Sequence, residues 1–399
     1  MFLWLAAACH NGLVIKPRQL DTGLVNPELI TAQQDLASLE LAITGQLDAE
    51  AMLLSVSSNG GWPIRLEDDR TIFACLGANG DWKWAGEHSN WVTEQMEQYG
   101  ALWVYETTIT EPNESSYQFH NGTTALPDPY GRYYTIDQGE ERSLIRSELG
   151  HYERWFSVDD RVVDIWVPTQ EASHRITVFS SEATLDPGWN LAQLAQQTTM
   201  IVALKPTALD VVDYTHTTDD VGGQSVGGQA DAFLERWVEF ESFLDAHYGE
   251  PQVKGILGTG LGANFALYNV YRRPNAYDFT ISLSGSLYWG TTIENNNSIN
   301  NIYHDSAVMA DNRFFLDSGG SVDTTAGERC ADLDSDGNWD DIANEDNYCS
   351  TWQLNQTILD KGGSYGQSLW YRNDVLITEA VPMWVQRVIE PMTIFQELR

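Results

Sequence analysis

The stretch Gly255-Ile256-Leu257-Gly258-Thr259-Gly260-Leu261-Gly262-Ala263-Asn264-Phe265-Ala266-Leu267 decides how this chain is read. It opens with a short apolar run, places glycine at positions 258, 260 and 262, and continues into ANFALYNVYRR, where apolar residues recur at helical spacing. That order predicts a buried strand, a tight turn and an amphipathic helix, because glycine accepts close backbone approach and left-handed dihedrals without steric cost. The residue at the apex of the turn is Gly260, which has no side chain.

Around this stretch the second half of the chain alternates strand and helix signals. RVVDIWVP, HRITVFS and TTMIVALKP read as strands, and the helix in GGQADAFLERWVEFESFLDAHYG gathers Phe233, Trp237, Phe240, Phe243 and Leu244 on one face. After the glycine turn come strand DFTISLSGS, strand RFFLDSGG, helix STWQLNQTILDKGG, strand SLWYR and helix VPMWVQRVIEPMTIF. Such alternation predicts a mostly parallel sheet with helices on both faces.

The first half has a different rhythm. Pro27 to Thr44 has helical spacing, and from Met52 short apolar runs alternate with turn residues: MLLSVSSNGGWPI, TIFACLG, DWKWAG, ALWVYETTI, SSYQFHNGT and RYYTID. This predicts an all-β, immunoglobulin-like sandwich. The expected units are a leader and linker over 1–25, a helix plus sandwich over 26–149, and an α/β unit over 150–399 that carries an insertion at 330–349.

The motifs around the turn resemble one family. GILGTGLGANFALYNVYRRPNAYDFTISLSGSLYWG is similar to the esterases that include enterochelin and feruloyl esterases, in which a GxSxGG elbow is followed by ALY, a helix, and a strand ending in SxSGSxWW. Here ALY is Ala266-Leu267-Tyr268, and the second motif is Ser284-Gly285-Ser286 with Tyr288-Trp289. GGWPI, GEHSNWV and LPDPYGRYY likewise resemble GTPL, GDFNDW and DPxN of the immunoglobulin-like domain preceding the enterochelin esterase domain. The resemblance spans about residues 30 to 399 and implies an α/β-hydrolase fold.

It also implies a serine triad, and here the chain departs. A serine esterase needs a nucleophile, an imidazole, a carboxylate that orients it, and backbone N–H donors for the oxyanion. Gly260 stands at the nucleophile position of an elbow made by Gly258, Leu261 and Gly262. The stretch Asn373 to Trp384, which matches the family's histidine segment, contains no histidine, and the last histidine of the chain is His304. Phe179-Ser180-Ser181-Glu182 departs from the family's HDG-like loop. Asp323 remains as a vestigial acid. Loss of a nucleophile or base costs on the order of 10⁶ in rate, so the expectation is a pseudo-esterase that binds a small molecule, a glycan or a surface protein. The alternative is an active carboxylic-ester hydrolase with a relocated nucleophile, for which Thr259, Ser286, His216 and His304 are candidates. Their plainer readings are a turn residue, a strand-end hydrogen bonder, and exposed loop histidines.

Asp332, Asp334, Asp336, Asn338, Asp340 and Asp341 match the pattern DxDxDGxxD, with Gly337 at the sharp turn. Dense hard oxygen ligands select Ca²⁺, and five carboxylates within ten residues repel one another unless neutralised. The twelfth position is Ala343 rather than Glu, which predicts modest affinity and a structural role. Cys330 and Cys349 bracket this loop; a disulfide between them would stabilise by about 3 kcal/mol and implies an oxidising compartment.

The leader MFLWLAAACHNG resembles the end of a lipoprotein signal, with Cys9 as the lipid anchor, which predicts an exported, outer-membrane or cell-surface lipoprotein, or a secreted protein. With Cys9 lipidated, Cys75 is a buried thiol; otherwise a Cys9–Cys75 bridge is open. A formal net charge of −35 argues against nucleic-acid partners, and no apolar run is long enough for a transmembrane helix. Of the 15 tryptophans, Trp82, Trp84 and Trp91 are the candidate surface platforms for a sugar.

Overall fold

The computed structural model describes residues 27–77, 80–148, 150–157, 161–181, 183–185, 189–290, 297–306, 312–318, 347–373 and 381–398. Its centre is a mixed sheet that contains, in spatial order, Leu369–Asn373, Arg313–Ser318, Phe279–Leu283, Val253–Thr259, His174–Phe179, Thr199–Leu204, Arg161–Val167 and His151–Ser157. The first six are mutually parallel, and Arg161–Val167 runs antiparallel to both its neighbours. Successive residues of the central strand face opposite ways, as the pleat requires. Ile256 packs with Phe233, Trp237, Phe240, Phe265 and Leu354 from helices Ala230–Tyr248, Leu261–Arg272 and Tyr348–Asp360. Leu257 packs on the other face with Val388, Met392 and Phe395 of helix Val381–Gln396. This is the two-sided α/β architecture that the alternation of elements predicts.

The β-rich half differs from an isolated sandwich in two ways. First, it carries a second helix, Ala49–Ser58, where a strand was expected. Asp48 caps it by accepting the Ala51 N–H at 3.0 Å, and Met52, Leu53 and Val56, at helical spacing, are fully buried against Ile64, Ile72 and Leu102. A run of apolar residues without alternation is ambiguous between helix and strand; the cap decides it. Second, two sheets do face one another across Phe73, Trp84, Trp103, Tyr117 and Phe119, but one of them is the outer part of the central sheet. Strand Tyr133–Asp137 pairs with His151–Ser157 through Tyr134↔Tyr152 and Tyr133↔Glu153. The ladder therefore crosses the expected boundary at 149–150, making a 14-stranded sheet.

Buried charge gathers at this junction. Glu153 accepts the Tyr248 hydroxyl at 2.7 Å and the Trp155 indole N–H at 3.1 Å, and lies 2.9 Å from His151 Nε2. Burial opposes its ionisation, but the hydrogen bond and charge of His151, followed by the charge of Arg132, hold its carboxyl below the usual range. The Arg132 guanidinium lies 3.3 Å above the Trp155 ring and donates to the Ser57 and Asn59 carbonyls, joining the second helix to the sheet.

Candidate functional site

The strand Val253–Thr259 ends directly on Gly260, and helix Leu261–Arg272 begins at the next residue. Gly260 takes φ +54° and ψ −121°, a conformation that favours glycine. The three glycines of the turn are required for different reasons. A Cβ at Gly258 would stand 2.2 Å from the Gly262 carbonyl oxygen, and one at Gly262 would stand 2.1 Å from that of Phe179. A Cβ at Gly260 would meet only Ser286 Oγ, at 3.9 Å. Strand, turn and helix thus pack as an elbow that leaves room for a side chain at its apex.

The loop after strand Phe279–Leu283 wraps this turn. Gly260 donates its N–H to the Leu283 carbonyl at 3.2 Å and accepts the Ser286 N–H at 3.0 Å. Asn264, fully buried on the helix, donates through Nδ2 to the Ser286 carbonyl at 3.1 Å. Ser284 sits at φ +46°; its N–H reaches the Asp317 carbonyl at 2.7 Å, and its carbonyl accepts from Asn347 Nδ2 at 3.0 Å. Beneath lies a fully buried ion pair: Arg387 donates through Nε to Asp317 Oδ1 at 2.7 Å and through Nη2 to Ser284 Oγ at 2.6 Å.

Of the relocated-site candidates, Ser286 is half-buried with its hydroxyl beside the vacant apex. Thr259 is turned inward, its hydroxyl 2.8 Å from that of Ser180, both residues buried. Ser180 is in the loop that the resemblance associates with the oxyanion hole. His216 is not the exposed loop residue expected. It is half-buried, stacks on Tyr268 at 4.9 Å, and has Nδ1 3.4 Å from Asn264 Oδ1 and Nε2 2.5 Å from the Asn297 carbonyl oxygen. Burial pushes its pKa down, against its hydrogen-bonding contacts to the Asn297 carbonyl and the Asn264 amide oxygen. Both ring nitrogens are thus engaged in structural contacts. His304 is exposed beside Asp305.

Sequence reasoning does not single out Asn264, Asp317 or Arg387 as residues of the site. The signals for them were faint: a lone amide within the apolar run GANFAL, and a lone cation within WVQRVIEPM. Asp323, Cys330 and the residues Asp332, Asp334, Asp336, Asn338, Asp340 and Asp341 lie outside the described residues. Cys349 is disulfide-bonded and buried. Cys75 is a free, buried thiol whose pKa burial pushes up; Cys9, the other end of the alternative bridge, lies outside the described residues. Two of the three platform tryptophans are core residues: Trp82 is 9% and Trp84 1% exposed, against 42% for Trp91. Their strand faces the opposing sheet, where Trp84 stacks on Tyr105 at 4.9 Å. Among the described residues, no group of three or more His, Cys, Asp or Glu is placed to hold a metal ion, and no helix is long and apolar enough to cross a membrane.

No protein-family model matches the chain, and no curated protein matches it. Among solved structures, it is similar to the ferric enterobactin esterase of Salmonella typhimurium at 14% identity and a TM-score of 0.43, over 88% of this chain and 99% of that one. It is also similar to the siderophore hydrolase EstA of Aspergillus nidulans at 14% identity and a TM-score of 0.45, over 61% of this chain and 94% of that one. A third likeness is to MPT51 of Mycobacterium tuberculosis, at 15% identity and a TM-score of 0.42, over 61% and 97%. At these TM-scores the functional reading rests on the residues of the site itself.

Proposed function

We propose that this chain is a pseudo-esterase: an α/β-hydrolase of the enterochelin-esterase kind that binds a ligand at the elbow without forming an acyl intermediate. The observation that carries the reading is Gly260. The turn keeps the backbone shape and the open space of a nucleophile elbow, but Gly260 supplies no side-chain oxygen. The stretch 373–384, which matches the family's histidine segment, contains no histidine, and this removes the family's base independently. The turn retains backbone N–H groups at the start of a 12-residue helix, which suit a carbonyl or anionic ligand group. The facing sheets of the β-rich half support an immunoglobulin-like module packed onto it. A fluorophosphonate probe is expected to leave every serine unlabelled, and p-nitrophenyl butyrate to go unhydrolysed.

A second reading, hydrolysis through a relocated nucleophile, is favoured by the Ser286 hydroxyl beside the apex. Labelling that disappears in Ser286→Ala would establish it in place of the first.

An exported setting, with Cys9 as a lipid anchor or the mature chain secreted, agrees with the disulfide at Cys349, for which Cys330 is the proposed partner. The alternating carboxylates of 332–341 fit Ca²⁺ by donor chemistry, and a bound ion would neutralise them and fasten the loop. Chelation and Asp334→Ala are both expected to lower the melting temperature; an unchanged melting temperature in both would remove the calcium site.

A further inference from the structure

The β-rich half contains a groove of about 660 Å³, lined by Trp91, Gln118, Pro127, Glu140, Glu141 and Arg142 among others. That volume lies within the roughly 300–1,000 Å³ of small-molecule sites. At its edge Trp91 exposes 42% of its surface. Its backbone is unusual: Asn90 and Trp91 are consecutive non-glycine residues at φ +51° and +62°, a conformation that is a marked outlier for so bulky a side chain. Such geometry persists where the surroundings impose it, and here they do. Asn90 N–H donates to the Glu87 carbonyl and Trp91 N–H to the Gly86 carbonyl, both at 2.9 Å. Ser89 Oγ bridges the Gly86 and Val92 carbonyls at 3.0 and 2.8 Å. The turn holds an indole outward, whereas Trp82 and Trp84 on the neighbouring strand are buried.

The rest of the lining is polar and well anchored. Tyr117 and Phe119 enter the core, so Gln118 between them faces the opposite side of the sheet. Arg154 grips Glu141 with two hydrogen bonds of 3.0 and 2.9 Å, and Arg142 pairs with Asp137 at 3.1 Å. Glu140 is exposed. The groove thus combines one aromatic face with an amide, carboxylates and a guanidinium. This set matches a sugar ring, whose C–H face is apolar and whose hydroxyls both donate and accept hydrogen bonds. The carboxylates and the formal charge of −35 disfavour acidic ligands. Arg142 disfavours a cationic one, for which a lone indole is also a poor cage.

We propose that this groove binds a neutral oligosaccharide, with Trp91 as the stacking platform and Gln118, Glu140 and Arg142 as hydrogen-bonding partners. The proposal is independent of the chemistry at Gly260, and the fluorophosphonate result bears on one and not the other. The test is isothermal titration of the full chain with maltohexaose and, separately, cellohexaose. At least one is expected to bind. Trp91→Ala should weaken binding about tenfold or more, with the melting temperature unchanged; Trp91→Phe should retain most of the affinity, and Gln118→Ala should lose a smaller share. Absence of heat with both sugars at millimolar concentration would overturn the proposal. So would binding that Trp91→Ala leaves intact, or Trp91-dependent binding of choline in place of the sugars.

Discussion

The elbow at Gly260 and the junction at Glu153 lie along the same sheet and use polar groups in opposite ways. At the elbow the apex is bare, the neighbouring amides and hydroxyls satisfy one another, and the nearby imidazole is engaged through both nitrogens. At the junction a buried carboxylate, an imidazole, a phenol, an indole and a guanidinium converge on one strand. Ionisable groups clustered in a cleft usually suggest catalysis. Here the dense cluster joins the two halves of the chain, while the turn shaped for chemistry carries no charge. Clustered ionisable groups therefore mark the structural seam of this protein, and the elbow is recognised by its backbone geometry instead.

That contrast can be broken most forcefully at the junction. Glu153→Leu removes the anion between His151 and Arg132 and leaves buried positive charge less well compensated; the expected loss is about 3–5 kcal/mol of unfolding free energy, read by urea titration. A much smaller loss would mean that the junction is not what holds the halves together.

The next effect is pH-dependent. Asp35, 2% exposed, accepts the Gly60 N–H, and burial holds its carboxyl up at about 7, against hydrogen bonds from Asn59 and Gly60 and the charge of Arg132. Because the folded pKa is raised above the unfolded one, the folded chain keeps a proton through a range in which the unfolded chain has lost it. Stability therefore falls as pH rises from about 4 to about 7 and is level above, by roughly 2–4 kcal/mol. Asp128, raised to about 6 by burial, adds a slope of the same sign. Asp35→Asn should flatten most of the dependence; an unaltered slope would assign it elsewhere.

At the elbow the expected changes are smaller. Gly260→Ser fits the space but is strained at φ +54°, at a cost of about 1–2 kcal/mol. It should still give no turnover of p-nitrophenyl butyrate; turnover would reveal a base that the chain supplies from somewhere else. Ser286→Ala, at a half-buried position, should stay within about 0.5 kcal/mol of the parent.

Local patterns made much of the molecule legible. The helix gathering Phe233, Trp237 and Phe240, the strand into Gly260 and the helix after it all form where periodicity puts them, because each is specified by residues within a few turns of one another. Met52 to Val56 misled because an unbroken apolar run suits either element until its cap is considered. Trp82 and Trp84 misled because whether a strand's face is exposed depends on what packs against it.

The sequence by itself determined that the apex of the elbow has no nucleophile and that no histidine follows His304, since both are statements about which atoms exist. Only the tertiary structure decided that Tyr134 pairs with Tyr152 across the expected boundary, that Asp317 meets Arg387 beneath the elbow, and that Trp91 alone of the three candidate platforms stays exposed. Such contacts join residues distant along the chain, and they form only when the folded core offsets the entropy of bringing them together.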